Sequence, residues 1–261
     1  MIRWITAVLA SMSLLSLGAC STASDPVALD QVWSAAYVYM PDEPYPMRMR
    51  DGPDAIGAKL NGKPPLPTVI YLHGCEGFDN RYNEAVYPRR LAQAGFLVIV
   101  PDSFARPGRK KACGNVMMNT VDLRRAEVRD ALRRLPTLPF VDQRNLFLAG
   151  HSEGGITTAM FDGGNTFNAY FISGWTCTSP NAQFDRIHAP ADKPVLAALG
   201  SADPYYVGTY NAGSCGSRLA GRPDSRSIVV PGAGHDVEFS PGVVPALVEF
   251  FKAHVVTVDA T

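Results

Sequence analysis

An α/β fold, with a mainly parallel sheet of about eight strands and helices on both faces, is what this sequence predicts. Three observations predict it. Continuous apolar runs such as Thr68–Leu72, Phe96–Val100 and Leu146–Ala149 read as strands buried on both faces. Segments of helical periodicity separate them. Glycine- and proline-containing turns close the runs, as at Gly95 and Pro101.

The elements follow in order. Ser21 to Asp30 reads as a polar tether, and Gln31 to Met40 alternates in a way that suits an edge strand. Pro41 to Pro65 is rich in Pro, Gly and Asp, with a short antiparallel strand expected around Met47–Arg50. After the strand at 68–72, residues 80–94 read as a helix ending at Gly95. The strand at 96–100 follows, and Thr120 caps a helix to Leu135. Leu123, Ala126, Val128, Ala131, Leu132 and Leu135 form its apolar stripe, with its five arginines expected to face water. The strand at 146–149 leads into a helix from about Glu153. Strands are expected at Ala169–Ile172, Val195–Leu199 and Ser227–Val230, and Val243–His254 closes the chain as a helix. The predicted catalytic unit is a single domain, residues 31–256.

The N-terminus reads as a leader. Arg3 is the only charge before residue 20, and Trp4 to Leu17 is largely apolar but short for a membrane span. It ends in Leu17-Gly18-Ala19-Cys20, which resembles the lipobox of bacterial lipoproteins. That resemblance implies a signal peptide over residues 1–19, lipidation at Cys20, a tether over 20–30 and attachment to a membrane through the lipid. Ser21 in second place favours the outer membrane, facing the periplasm.

Composition excludes several classes. The chain has 24 basic and 24 acidic side chains, so it carries no nucleic-acid footprint. Besides Cys20 there are Cys75, Cys113, Cys177 and Cys215, without zinc-type spacing. In an oxidising compartment their even number invites two disulfides. The preferred pairing is Cys177 with Cys215 and Cys75 with Cys113, against buried free thiols. No metal and no cofactor is expected.

Gly150-His151-Ser152-Glu153-Gly154 follows a buried strand and precedes a helix. A serine at the apex of so tight a turn is presented as a nucleophile. In a parallel sheet, reactive groups gather at the carboxyl ends of strands. Asp203, in Gly200-Ser-Ala-Asp203-Pro204, and His235, in Gly232-Ala-Gly-His235-Asp236, both stand there. So does the loop His73-Gly74-Cys75-Glu76-Gly77. A serine needs an imidazole to take its proton, and the imidazole needs a carboxylate to fix its tautomer. Asp203 is better placed than Asp185, Asp192 or Asp236. The attacked carbonyl needs two N–H donors. Glu153 N–H is one candidate; the other is Cys75, with Glu76 as the fallback. His73 is expected to brace its loop, and His151 to be buried beside the turn.

With Val100-Pro-Asp-Ser-Phe104 and the run from Arg125 to Gly155, these motifs resemble an α/β-hydrolase of the dienelactone-hydrolase-like group over residues 65–255. The resemblance implies Ser152 as nucleophile, His235 as general base and acid, and Asp203 as its orienting group. True dienelactone hydrolases carry cysteine at the turn. Ser152 therefore points to a serine esterase acting on small or short-acyl esters through an acyl-enzyme. No long lid insertion is evident, which suggests an open site. The alternatives are a peptidase or amidase resembling prolyl oligopeptidases, and a non-catalytic envelope binding lipoprotein.

Charged residues lie close to the serine turn and in one loop on the catalytic edge. Glu153 would oppose an oxyanion if it pointed inward, so a hydrogen bond or salt bridge turned away is expected, against recognition of a cationic substrate group. Arg106, Arg109, Lys110 and Lys111 read as a solvated loop, against recognition of an acidic substrate or lipid headgroups.

Overall fold

The computed structural model describes residues 22–41, 47–48, 54–60, 62–78, 85–111, 113 and 118–257. Residues 1–21, which include the segment read as a leader and Cys20, lie outside the described residues. Eight strands form one sheet: β1 (Tyr37–Tyr39), β2 (Met47–Arg48), β3 (Leu66–Leu72), β4 (Leu97–Val100), β5 (Val141–His151), β6 (Ala169–Ser173), β7 (Val195–Gly200) and β8 (Arg226–Val230). Their order is β2-β1-β4-β3-β5-β6-β7-β8. The β1–β2 and β1–β4 pairings are antiparallel, and the pairings from β4 through β8 are parallel. This is the mainly parallel sheet of eight strands that the apolar runs predicted.

The described α-helices are α1 (Pro26–Ser34), α2 (Asp54–Leu60), α3 (Val86–Gln93), α4 (Met118–Arg134), α5 (Glu153–Met160) and α6 (Val243–Ala253), with short 3₁₀ turns between elements. One face of the sheet buries Ile70, Leu72, Leu148 and Ile172 with Val121 and Val128 of α4. The other buries Val69, Tyr71, Phe147 and Phe171 with Leu91 of α3 and Leu247 of α6. The strands at the centre bury side chains on both faces, which is why they read as unbroken apolar runs.

Two expectations are corrected here. The segment read as a tether and the first half of an edge strand is α1. Asp25 caps it by accepting from Val27 N at 3.0 Å, and Pro26 occupies the first turn, where a missing N–H costs nothing. Ala28, Leu29, Val32 and Trp33 recur at helical spacing and are buried, so packing into the core begins before residue 31. Helix α2 falls within the stretch read as irregular, and Ile56 and Leu60 anchor it in the core. Residues 80–84 of the expected helix lie outside the described residues, and α3 starts at Val86.

Disulfides join Cys75 to Cys113 and Cys177 to Cys215, the pairing preferred from the sequence. The first ties the loop after β3 to the segment beyond β4. The second ties the segment between β6 and β7 to the one between β7 and β8.

Candidate active site

Strand β5 runs directly into α5 through Ser152, whose backbone adopts φ 55° and ψ −118°. A non-glycine residue in that region is strained and must be held by its surroundings. Ser152 N–H donates to Ser173 O at 2.9 Å, and Ile156 N–H donates to Ser152 O at 2.9 Å. The flanking glycines answer to close approach. A Cβ on Gly150 would collide with the carbonyl of Gly154, and one on Gly154 with the carbonyl of Leu72. The turn therefore packs α5 directly against the ends of β3 and β5, and the serine stands at the helix N-terminus.

The carboxyl ends of β7 and β8 bring Asp203 and His235 together. His235 Nδ1 donates to Asp203 Oδ2 at 2.6 Å. The other carboxylate oxygen, Oδ1, accepts from Tyr205 N at 3.0 Å. Asp203 is buried, 1% exposed, so both oxygens are fixed away from water. With the proton on Nδ1, a neutral His235 presents a lone pair on Nε2. Nε2 is buried and has no hydrogen-bond partner among the described residues, Ser152 Oγ included. Contacts of this kind often tighten only around a bound substrate. The His235 ring sits edge-on to Tyr205 with centroids 4.6 Å apart, and Tyr205 and Ser152 line the same cavity of about 330 Å³. A broader depression of about 890 Å³ between α3 and α6 contains none of these residues.

The loop after β3 reaches the cavity at Cys75. His73 braces it: Nδ1 donates to Gly74 O at 2.7 Å, and Nε2 accepts from Ser103 N at 3.2 Å. Burial, then the nearby Arg124, holds this imidazole well below its ordinary pKa and hence neutral. Neither Cys75 N–H nor Glu153 N–H has an acceptor among the described residues. The latter is the first amide of α5 and has no carbonyl a turn behind it.

Glu153 turns away from the cavity and is fully buried. Its Oε1 accepts from Arg109 Nη2 at 2.5 Å and from Arg124 Nη1 at 3.1 Å. The sequence reading placed both arginines in water, and both placements are corrected. Arg124 is 0% exposed and also donates to His73 O at 2.8 Å, so it spans the Cys75 loop and the start of α5. Arg109 leaves only 5% of its side chain exposed. Arg106 pairs with buried Glu127 at 3.3 Å. Burial raises the Glu127 carboxyl, against the pull of Arg124 and Arg106. Arg124 was the functional neighbour most thoroughly hidden in the sequence.

Behind His235, the His151 ring lies 4.8 Å away, and its Nδ1 shares a hydrogen bond with Ser173 Oγ at 3.1 Å. Burial lowers the His151 pKa. Glu238, nearby and 5% exposed, is pushed by burial up to about 8. An unfolded glutamate titrates near about 4.3. Its folded-state pKa is raised, so its contribution to stability is complete below the unfolded pKa and is lost as pH climbs towards 8. Glu238→Gln should therefore gain several degrees in Tm relative to the parent between pH 5 and pH 8.5. A melting difference that stays constant over that range would refute the assignment. His151, Asp236 and Glu238 also offer ligand atoms within 4.8 Å of one another, the one such cluster among the described residues.

A model of the dienelactone hydrolase family matches residues 55–235. Among solved structures, a dienelactone hydrolase from Anabaena variabilis is 18% identical, with 75% of this chain and 89% of that one covered and a TM-score of 0.53. Est1E from Butyrivibrio proteoclasticus is 15% identical, with 84% and 91% covered and a TM-score of 0.51. At such identities the likeness speaks for the fold. No curated protein sequence matches. The family match spans the Cys75 loop, the serine turn, Asp203 and His235, and the chain belongs to the dienelactone hydrolase family of hydrolases.

Proposed function

We propose that this hydrolase cleaves carboxylic esters of small or short-acyl substrates through an acyl-enzyme on Ser152. The observation that carries the reading is the strained serine at the head of α5, with the His235–Asp203 pair at neighbouring strand ends. Ser152 Oγ attacks the carbonyl carbon as its proton passes to His235 Nε2. The carbonyl π electrons move onto oxygen, and Cys75 N–H and Glu153 N–H receive the oxyanion, each worth about 3–4 kcal/mol. Collapse expels the alkoxide, which takes the proton from His235 and leaves as alcohol. Water then attacks the acyl-enzyme by the same route, releasing the acid and restoring Ser152.

The amidase alternative drew on the Gly154-Gly155 pair and on Glu153 as a receptor for a substrate amine. That carboxylate is committed to Arg109 and Arg124, so the second of these supports is lost. A fluorophosphonate probe should label the folded protein, with the adduct on the peptide containing Ser152, and Ser152→Ala should stay unlabelled. Labelling elsewhere, or none, would overturn the proposal.

We also infer export and lipid anchoring at Cys20, in the outer membrane facing the periplasm, on the strength of Leu17-Gly18-Ala19-Cys20. Membrane fractionation of cells making the full chain tests it. Cys20→Ala should release the protein, and a variant that stays membrane-bound would exclude the anchor.

A further inference from the structure

The cavity beside Ser152 has walls unlike those of a simple acyl slot. Trp175 and Phe184 come from the segment after β6, and Tyr205, Tyr206 and Asn211 from the segment after β7. The Cys177–Cys215 disulfide cross-links the two segments, so the wall is braced. Tyr206 donates its hydroxyl to Gly174 O at 2.9 Å, and its ring meets Trp175 edge-on at 5.5 Å. That hydroxyl is engaged, and Tyr206 offers the cavity a ring.

Two polar atoms in this wall are left over. Trp175 is 4% exposed, and its Nε1–H, a donor only, has no partner among the described residues. The same holds for Asn211 Oδ1, an acceptor only. Buried polar atoms are nearly always satisfied, so an orphaned donor and acceptor in one cavity wall call for a ligand that brings both functions. No lining residue carries a charge.

The geometry points to a subsite for a neutral, hydroxylated aromatic ring on the substrate ester. A phenolic hydroxyl donates to Asn211 Oδ1, its oxygen accepts from Trp175 Nε1–H, and the ring packs edge-to-face with the aromatic walls. An alkyl chain would leave both polar atoms without partners once water is expelled, and a carboxylate would find no counter-charge. Dienelactone-type acidic substrates are thus disfavoured at this position. The inference rests on the ester-hydrolase reading for its chemistry but not for its binding.

The test uses the full chain and matched esters. Methyl 4-hydroxyphenylpropenoate should exceed methyl phenylpropenoate about tenfold in kcat/KM, the size of one net hydrogen bond. 4-Hydroxybenzyl acetate against benzyl acetate reads the alcohol side in the same way. In Asn211→Leu, the ratio should fall to within about twofold in whichever pair shows it. A separate arm measures calorimetric binding of 4-(4-hydroxyphenyl)but-3-en-2-one, an uncharged ketone without an ester, to Ser152→Ala with and without Asn211→Leu. Hydroxyl-dependent binding lost with Asn211→Leu, in a protein that hydrolyses no ester, upholds the subsite and sinks the ester reading. Ester turnover with a ratio near one in both pairs, or with a ratio untouched by Asn211→Leu, overturns the subsite and leaves the ester reading standing. Preference for methyl hexanoate or an acetylated sugar over both aryl pairs overturns it as well.

Discussion

Asn in place of Asp203 should lower kcat for a short nitrophenyl ester about 10⁴-fold, the loss seen when the carboxylate of other serine triads is made an amide. The cause lies in the two oxygens of Asp203. Oδ1 accepts from Tyr205 N, and Oδ2 accepts from His235 Nδ1. An asparagine can keep the first bond through its carbonyl, so the turn survives. Its NH₂ then faces Nδ1 and becomes a donor where an acceptor stood. His235 answers by moving its proton to Nε2, the nitrogen that receives the Ser152 proton in the proposed mechanism. KM should change little, because no bond to the substrate is touched. The rival carboxylate gives the control: Asp236 is half exposed and faces His151 at 3.7 Å, so Asp236→Asn should cost less than about fivefold. A loss below about tenfold for Asp203→Asn, or equal losses for the two variants, would remove Asp203 from the role proposed for it.

Why some of this site was legible in the sequence and some was not follows from what each residue does. Gly150 and Gly154 are dictated by backbone collisions that every such turn shares, so the turn announces itself locally. Asp203 and His235 stand just past apolar strands whose ends are readable, and a parallel sheet brings those ends together. Arg124 escaped because arginines on an amphipathic helix are assigned to water by default. Its position spoke otherwise: Val121, Arg124, Val128 and Ala131 follow the helical repeat of the buried stripe, and Glu127 stands three residues on from Arg124. A cation and an anion in register with a core stripe are the sign of a buried pair. Helix α1 was missed for a related reason. The Asp25-Pro26 start and the Ala28, Leu29, Val32, Trp33 spacing are present, but the polar residues before Gln31 read as a tether, and the alternation through Tyr37–Tyr39 draws the second half of the helix into a strand. The walls of the cavity left no pattern at all. Trp175 and Asn211 come from separate irregular segments, which the Cys177–Cys215 disulfide and the contacts of Tyr206 with Gly174 and Trp175 bring together.

Truncation of Glu153 to alanine should destabilise the protein by about 3–5 kcal/mol, the cost of removing one member of a buried ion pair. Two guanidinium groups share this carboxylate, and Arg124 has no solvent to turn to. Without it, Arg124 retains His73 O and a distant approach to Glu127 at 3.9 Å, and Arg109 retains Lys110 O. The buried cluster holds Arg106, Arg109 and Arg124 against Glu127 and Glu153, and burial already raises the Glu127 carboxyl towards its neutral form. A carboxylate directly after the proposed nucleophile is thus more than matched by positive charge, and its field at the oxyanion of the proposed mechanism is cancelled. Glu153→Gln keeps hydrogen-bond acceptance while deleting the charge, so its cost should fall between those of the parent and Glu153→Ala. Arg109→Ala should cost less than Glu153→Ala, since Arg124 still neutralises the remaining carboxylate. Urea unfolding of the three variants, with m-values compared, orders these effects. If Glu153→Ala lowered stability by less than about 1 kcal/mol, the carboxylate would be dispensable to the cluster, and the reason for a glutamate beside Ser152 would have to be sought in the substrate.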